Sequence, residues 1–504
     1  MLYSIAYLFA GLTLAAWFVF QKNKRAERYL QYTFLIAFVF LLFSIFTAEA
    51  ASGYKFKIAT RDLISLGVIG LIFQFLKGHK LVSRLALAIL AIGLFWYQSS
   101  VLESTFPQMA DVPLSPDGEL LVDLREGQEG SALAPIANRF GLTYAPAFSP
   151  ARPEITQLDD YYVIDIPDDM RRKLSAIKKA LRRSGIIDWV EENESVQVSP
   201  LPGKTPGDIN TRFGINDPGL EKLWGFERME VDQLYDLLKE KEINPAEKAL
   251  IAILDTGVDA NHEDIADNFR SLQTKYDNDP RGHGTHCAGI AAAVSNNGMG
   301  VASFSHNNAF VEVTSIKVLN AYGSGTQRTI INGIIEAADA GASVISLSLG
   351  GRSSDKKQRA YEEAVAYANK AGAIVVAAAG NAGRNARDFA PVSARGVIGV
   401  SAIDEELKLA SFSNVVKDIE MGIAAPGVNI YSTIPKDQYT SFNGTSMATP
   451  YVAGLVGLLK SLRPELNTEE VYDLLHNTGQ KTGSGKDSGQ LIQPEMAVRK
   501  LLDE

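Results

Sequence analysis

The sequence predicts an α/β fold, a parallel sheet covered by helices on both faces, preceded by an α+β module and an all-α apolar region. Three observations carry this reading. Ile251-Ala252-Ile253-Leu254-Asp255-Thr256-Gly257-Val258 is a short apolar run ending in an acid and a glycine. That is the pattern of a buried parallel strand with its acid at the C-terminal end, where open α/β sheets place their chemistry. Residues 112–200 order as β-α-β-β-α-β, the plan of a split βαβ sandwich. The first hundred residues hold long uncharged apolar runs that the rest of the chain lacks. At 504 residues the chain exceeds one ordinary domain, and it divides into 1–100, 112–200, a linker at 201–207, and 208–504.

The apolar region comes first. Runs 2–20 and 29–48 are each near the roughly 20 residues that a membrane helix needs. Runs 63–76 and 81–97 are shorter and read together as a helical hairpin, giving four transmembrane helices. Beyond Arg84, no charged residue is expected deep in a span. Lys22, Lys24, Arg25 and Arg28 fall in the first connection, Lys55, Lys57 and Arg61 in the second, and Lys77 and Lys80 in the third. With four spans, the positive-inside rule puts the first and third connections in the cytoplasm and everything after residue 97 on the extracytoplasmic side. Two alternatives stand beside this: the last pair as buried core helices, and a signal peptide ending at Ala48-Glu49-Ala50.

The middle module reads as strand 119–125, helix 130–140, strands 142–148 and 161–166, helix 168–184 and strand 187–198. The second helix is strongly basic, with Leu174, Ile177 and Leu181 at helical spacing. Residues 198–207, rich in proline and glycine, read as an exposed linker.

The chemistry concentrates in the last part. In Gly444-Thr445-Ser446-Met447-Ala448-Thr449-Pro450, small residues crowd a serine that precedes a helical run, so its hydroxyl can stand exposed at a helix start. The helix N-terminus favours negative charge developing there. Arg281-Gly282-His283-Gly284-Thr285-His286-Cys287-Ala288 is a glycine-flanked histidine leading into another small-residue helix. A serine hydroxyl is a weak nucleophile unaided. Asp255, His283 and Ser446 can share the work: Ser446 attacks a carbonyl, His283 takes and returns the proton, and Asp255 orients the imidazole.

With these motifs, in the order Asp, His, Ser, residues 208–504 resemble the subtilisin-like serine proteases, the subtilases. The resemblance implies further site residues. Val375-Val376-Ala377-Ala378-Ala379-Gly380-Asn381 looks like the family's strand that ends in the oxyanion-hole asparagine, Asn381, with Ala378 and Gly380 lining the cleft. Ser346-Leu347-Ser348-Leu349-Gly350-Gly351 resembles the strand that binds substrate backbone, through Ser348, Leu349 and Gly350. Tyr322-Gly323-Ser324-Gly325 resembles the opposite edge, through Gly323, Ser324 and Gly325. A peptide would add between them as a strand. Phe389 falls where relatives often have glycine and would make the pocket before the cut shallow, whereas Asp388 beside it would favour a basic residue.

Many relatives bind calcium in the loop after the histidine helix. Here that loop, Ser295-Asn296-Asn297-Gly298-Met299-Gly300-Val301, carries no carboxylate, and Asp277-Asn278-Asp279 lacks calcium-loop spacing. No required cofactor or metal is expected, and calcium stays as the alternative. The module at 112–200 resembles the family's inhibitor-type propeptide, above all in Asp188-Trp189-Val190-Glu191-Glu192-Asn193, which implies an intramolecular inhibitor whose tail enters the cleft.

Net charge is −9, which gives no support to nucleic-acid binding. The single cysteine, Cys287, excludes an intrachain disulfide and reads either as a small buried residue or as a thiol that heavy metals could block. Together these readings imply a membrane-anchored serine endopeptidase acting on polypeptides through an acyl-enzyme and autoprocessed in its linker. The alternative is a silent membrane scaffold or receptor that uses the cleft to bind peptides.

Overall fold

A computed structural model describes residues 2–21, 24–47, 52–76, 80–97, 118–197, 201–202, 212–353 and 359–503. The chain forms two compact units, Met1–Asp111 and Val112–Glu504.

Among the described residues, the first unit holds four helices: Leu2–Phe20 (α1), Lys24–Thr47 (α2), Ser52–Leu76 (α3) and Lys80–Tyr97 (α4). Two segments, Lys24–Ile45 and Ala59–Leu76, are long and apolar enough to cross a membrane, and Ala6–Phe20 is a shorter apolar helix. Ala10, Leu14, Leu41, Ile45 and Leu66 pack together, while Leu35, Ile36, Phe40, Ile64, Leu71 and Phe75 are exposed. An apolar exterior of this extent is costly in water. The third helix corrects the expected connection. It begins at Ser52, so Lys55, Lys57 and Arg61 lie within a helix. Asp62 also lies in α3, buried and paired with Arg61 at 2.8 Å. Ala48-Glu49-Ala50 lies outside the described residues.

In the second unit, the middle module holds strands Leu120–Leu124 (β1), Thr143–Pro146 (β2), Tyr161–Asp165 (β3) and Ile187–Glu192 (β4), with helices Ala134–Phe140 (α5) and Leu174–Arg183 (α6). The sheet order β2-β3-β1-β4, antiparallel throughout, is the split βαβ plan. The second helix is shorter than expected because Asp168–Lys173 forms a 3-10 turn. Strand alternation makes the sheet two-faced. Leu120, Val122 and Leu124 join Ile177 and Leu181 in a core of the module's own. Leu121, Val163 and Tyr161 instead share a core with the larger domain. The last expected strand of the module breaks in two. Ser195–Gln197 (β5) leaves the sheet, and Leu201–Pro202 (β6), expected as exposed linker, pairs with a strand of the larger domain.

In that domain, Trp224–Arg228 (α7) and Val231–Glu240 (α8) precede the main sheet. Its strands are Ala249–Asp255 (β7), Val311–Lys317 (β8), Val344–Leu347 (β10), Ile374–Ala378 (β12), Val397–Ile403 (β14) and Met421–Pro426 (β15). Shorter strands are Ser324–Thr326 (β9), Gly351–Arg352 (β11), Phe389–Ala390 (β13), Ile430–Ile434 (β16) and Gln438–Asn443 (β17). The helices are His283–Ala292 (α9), Gln327–Asp339 (α10), Arg359–Lys370 (α11), Thr445–Leu462 (α12), Thr468–Thr478 (α13) and Pro494–Asp503 (α14). The sheet is six parallel strands ordered β15-β14-β12-β10-β7-β8. Ile251 and Ile253 of β7 face the core shared with α9 and α12, while Leu250, Ala252 and Leu254 face the core shared with α10 and α11. Both faces are buried, which is why the strand reads as a continuous apolar run. Leu491 makes isolated bridges to Ala424 and Gln480.

The module docks its second face on α10 and α11. Asp123 pairs with Arg359 at 3.1 Å, and Glu191 accepts from Gln327 Nε2 at 2.8 Å and from the Ala360 amide at 3.2 Å.

Helices α9 and α12 approach closely because glycine allows it: a Cβ on Gly454 would lie 2.8 Å from the Ala291 carbonyl oxygen. Gly454→Ala is expected to cost about 1–3 kcal/mol through overpacking, read as a fall of several degrees in Tm.

Candidate active site

The strand order reverses direction at β7, whose neighbours are β8 and β10. Crevices outside the C-terminal ends of strands at such a switch point are where α/β sheets bind ligands. Asp255 ends β7, Ser348 follows β10, and Gly380 and Asn381 follow β12, so three adjacent strands deliver their residues to one place. Helices α9 and α12 start there too. His283 is the first residue of α9, and Ser446 the second of α12.

Asp255 and His283 meet as expected. His283 Nδ1 donates to the Asp255 carboxylate, 2.8 Å from each oxygen, with the side chains 1% and 0% exposed. The carboxylate also accepts the Thr256 amide at 2.8 Å. Burial disfavours the imidazolium, but Asp255 and, behind it, Asp279 outweigh burial, so His283 titrates above the usual histidine value. His283 Nε2 has no hydrogen-bond partner. The Ser446 hydroxyl is turned instead to the Ser348 carbonyl at 3.0 Å. A serine–histidine hydrogen bond is often unmade without substrate.

Asn381 is aimed by its neighbours. Its Oδ1 accepts from the Thr445 amide at 2.9 Å and the Thr445 hydroxyl at 3.0 Å. That leaves the Nδ2 group toward Gly444, where an added Cβ would come within 3.3 Å of it. Ser348 holds the Ser446 backbone, its hydroxyl donating to the Ser446 carbonyl at 2.8 Å. Cys287 is fully buried beneath Ser446, its Sγ 3.5 Å from that same carbonyl, and burial pushes its thiol well above the usual range. The small-buried-residue reading of Cys287 fits this.

Of the segments read as cleft edges, Gly323 precedes β9 and Ser324 and Gly325 lie in it, and β9 is paired antiparallel with β5 of the module, Ser195 opposite Thr326, Val196 opposite Gly325 and Gln197 opposite Ser324. A Cβ on Gly351 would lie 3.3 Å from the Ser195 carbonyl oxygen, so the edge beyond Leu349 and Gly350 adjoins the same segment. Farther on, Leu201 pairs with Asn443 and Pro202 with Phe442, just before the nucleophile's helix. The module's tail therefore lies along both flanks of the cleft. Phe389 packs near Gly380, where an added Cβ would be 3.4 Å from the ring, on the same side of the cleft as Ala378 and Asn381. Asp388 faces Arg387 at 3.7 Å, which offsets its charge.

Reading Ser295–Val301 by itself missed two carboxylates that the fold brings to it. Asp264, fully buried, accepts from Asn297 Nδ2 at 2.9 Å and the Val301 amide at 2.7 Å. Asp217, also buried, accepts from the amides of Asn296 at 2.7 Å and Asn297 at 3.2 Å. Burial pushes Asp264 up to about 8, and Asp217 nearby adds to the shift. In sequence the two acids lie far from the loop, and only an acid nine positions past Asp255 hinted at one of them. Asp277, Asn278 and Asp279 do not converge. They pair respectively with Ser271, with Lys317, and with the start of α9.

Comparison with known proteins agrees with this architecture. The family model described as "Subtilase family" matches residues 246–491. Thermitase of Thermoactinomyces vulgaris is 40% identical over 277 residues, 54% of this chain and 93% of that protein. Subtilisin DY of Bacillus licheniformis is 41% identical over 257 residues, 49% of this chain and 90% of that protein. The "Thermophilic serine proteinase" of Bacillus sp. (strain AK1) is 37% identical over 318 residues, 62% of this chain and 72% of that protein. With a strand switch point, a histidine helix and a serine helix meeting as described, and relatives matched over nearly their whole length, the chain belongs to the subtilase family.

Proposed function

We propose that this subtilisin-like serine endopeptidase cuts polypeptides with Ser446 as nucleophile, His283 as general base and acid, and Asp255 as the group that orients and stabilises the imidazolium. The observation that carries the reading is the buried Asp255–His283 pair, the His283 Nε2 unpartnered among the described residues, with α9 packed against the helix whose second residue is Ser446. In the acylation step Ser446 Oγ bonds to the substrate carbonyl carbon and its proton passes to His283 Nε2. The proton then goes to the leaving amine as the peptide bond breaks. Water repeats the sequence to free the acid. Asn381 Nδ2 supplies one donor to the oxyanion, its direction set by Thr445. Ser348, Leu349 and Gly350 on one edge and Gly323, Ser324 and Gly325 on the other hold the substrate as an added strand, the way β5 is held on β9.

The module at 118–197 acts as an intramolecular inhibitor. The support is its docked sheet and its two short strands on either flank of the nucleophile. Autoprocessing between Gln197 and Leu201 would free the cleft. The four apolar helices serve as a membrane anchor, with the peptidase on the extracytoplasmic side, supported by the two spans long enough to cross and by the lysine and arginine residues at the start of α2 and α4. Intact mass and N-terminal analysis of the full chain beside Ser446→Ala tests these points together. The expected result is a wild type split between residues 197 and 202, an uncut variant, and an N-terminal fragment that stays in carbonate-washed membranes. Both chains remaining whole, or the fragment appearing in the soluble fraction, overturns the corresponding part.

Asn381→Ala is expected to lower kcat by about a hundredfold or more with KM little changed, the scale established for such a donor in a subtilisin itself, measured on a small peptide substrate.

A divalent cation fits the loop after α9. Asp217 and Asp264 are buried acids with no ion-pair partner among the described residues, and carboxylate oxygens are the donors calcium prefers. Calcium there would brace the loop and take no part in the bond cleavage. Adding a chelator is expected to lower Tm, and Asp264→Asn is expected to remove that response. Equal Tm with and without chelator would show that hydrogen bonds alone hold the loop.

A further inference from the structure

Asp279 lies outside the proposed triad, yet it collects more hydrogen bonds than the other carboxylates around the site. Its Oδ1 accepts from the Thr256 hydroxyl at 2.8 Å, the Arg281 amide at 3.0 Å and the Gly282 amide at 2.9 Å. Its Oδ2 accepts from the Thr285 amide and the Thr285 hydroxyl, both at 2.8 Å. It is 7% exposed, and all five donors are neutral. Four of the five donors, on Arg281, Gly282 and Thr285, belong to the turn and first residues of α9, on either side of His283. The fourth residue joined, Thr256, follows Asp255 directly and has its own hydroxyl 3.2 Å from the Asp255 carboxylate. The Gly284 amide also points at the Thr256 hydroxyl, at 3.3 Å.

The backbone explains why such a clamp is needed. Gly282 sits at φ +85°, and a Cβ on Gly284 would lie 2.1 Å from the Gly257 carbonyl oxygen. The turn that presents His283 is therefore pressed against the turn that follows Asp255, with no side chain of its own to lock it. Asp279 bridges the two turns.

We propose that Asp279 is a positioning residue of the reaction: its carboxylate fixes the start of α9 to the turn after β7, so that the Asp255–His283 hydrogen bond has one geometry, and its buried charge helps to stabilise the imidazolium. This rests on the reading of Asp255, His283 and Ser446 as a triad. The two effects have separate signatures. A fixed geometry acts on kcat, since a misaligned base transfers the proton poorly while substrate still binds. The charge acts on His283, because a second anion behind the ring favours the protonated form.

The test is Asp279→Asn, which keeps shape and removes charge. The expected result is a kcat lower by between about tenfold and a hundredfold with KM within about twofold, the scale of a small misplacement at the reacting centre. The acid limb of the kcat/KM profile should move to lower pH, and so should the NMR titration of the His283 ring followed in the Ser446→Ala background, where no turnover occurs. If Asp279→Asn does not fold, Thr256→Val cuts the same bridge at its other end and is expected to lower kcat with KM kept. Unchanged kcat and an unmoved ring titration in a folded variant, or a rise in KM alone, overturns the proposal. Loss of the triad reading is seen separately, as activity that survives Ser446→Ala.

Discussion

Everything at this site leans on one buried contact, the hydrogen bond between His283 and Asp255. A carboxylate out of water is costly unless donors surround it. Here an imidazole and a backbone amide supply them, and the same burial makes the pair electrostatically strong. Keeping it requires an acid at the very end of a strand buried on both faces, and a histidine at the first residue of a helix that passes over that end. The parallel sheet supplies the first, and glycines in both turns let the second come close enough. Helix α12 can then run against the same sheet and bring a serine to the same edge.

The docked module shows how one small sheet serves two cores. Leu120, Val122 and Leu124 look inward to its own helices, while Leu121 and Asp123 look outward to α10 and α11. Period-two alternation makes this possible without an extra layer. The outward face is not purely apolar. Asp123 and Glu191 each find a donor at the start of α11, so this face fits one partner orientation and disfavours others.

Much of this was legible in the residues. Asp255, His283, Ser446 and Asn381 announce themselves because each sits in a short run of small or apolar residues, and such runs tolerate few alternatives. The order of the module's strands was equally visible from alternation. What could not be read had a common physical cause: the partners are far apart in the chain. Asp217 and Asp264 meet the loop at 295–301 only after folding, so the loop by itself looked poor in oxygen ligands. Asp279 looked like part of an acidic triplet, and its use depends on Thr256 and Thr285 arriving from two other segments. The early start of α3 at Ser52 escaped because lysine and arginine on a helix end read the same as in a loop.

The two short strands β5 and β6 belong to the same chain as the cleft that they line. Their encounter with it is unimolecular, so dilution does not loosen it. A tethered segment of this kind acts at an effective concentration in the millimolar range. For the proposed inhibition this means that a free polypeptide has to outcompete that figure, whatever the abundance of the protein. The strength of the proposed restraint is then set by linker length and by how well the module holds α10 and α11, two quantities that can be tuned without touching any residue proposed to meet the substrate.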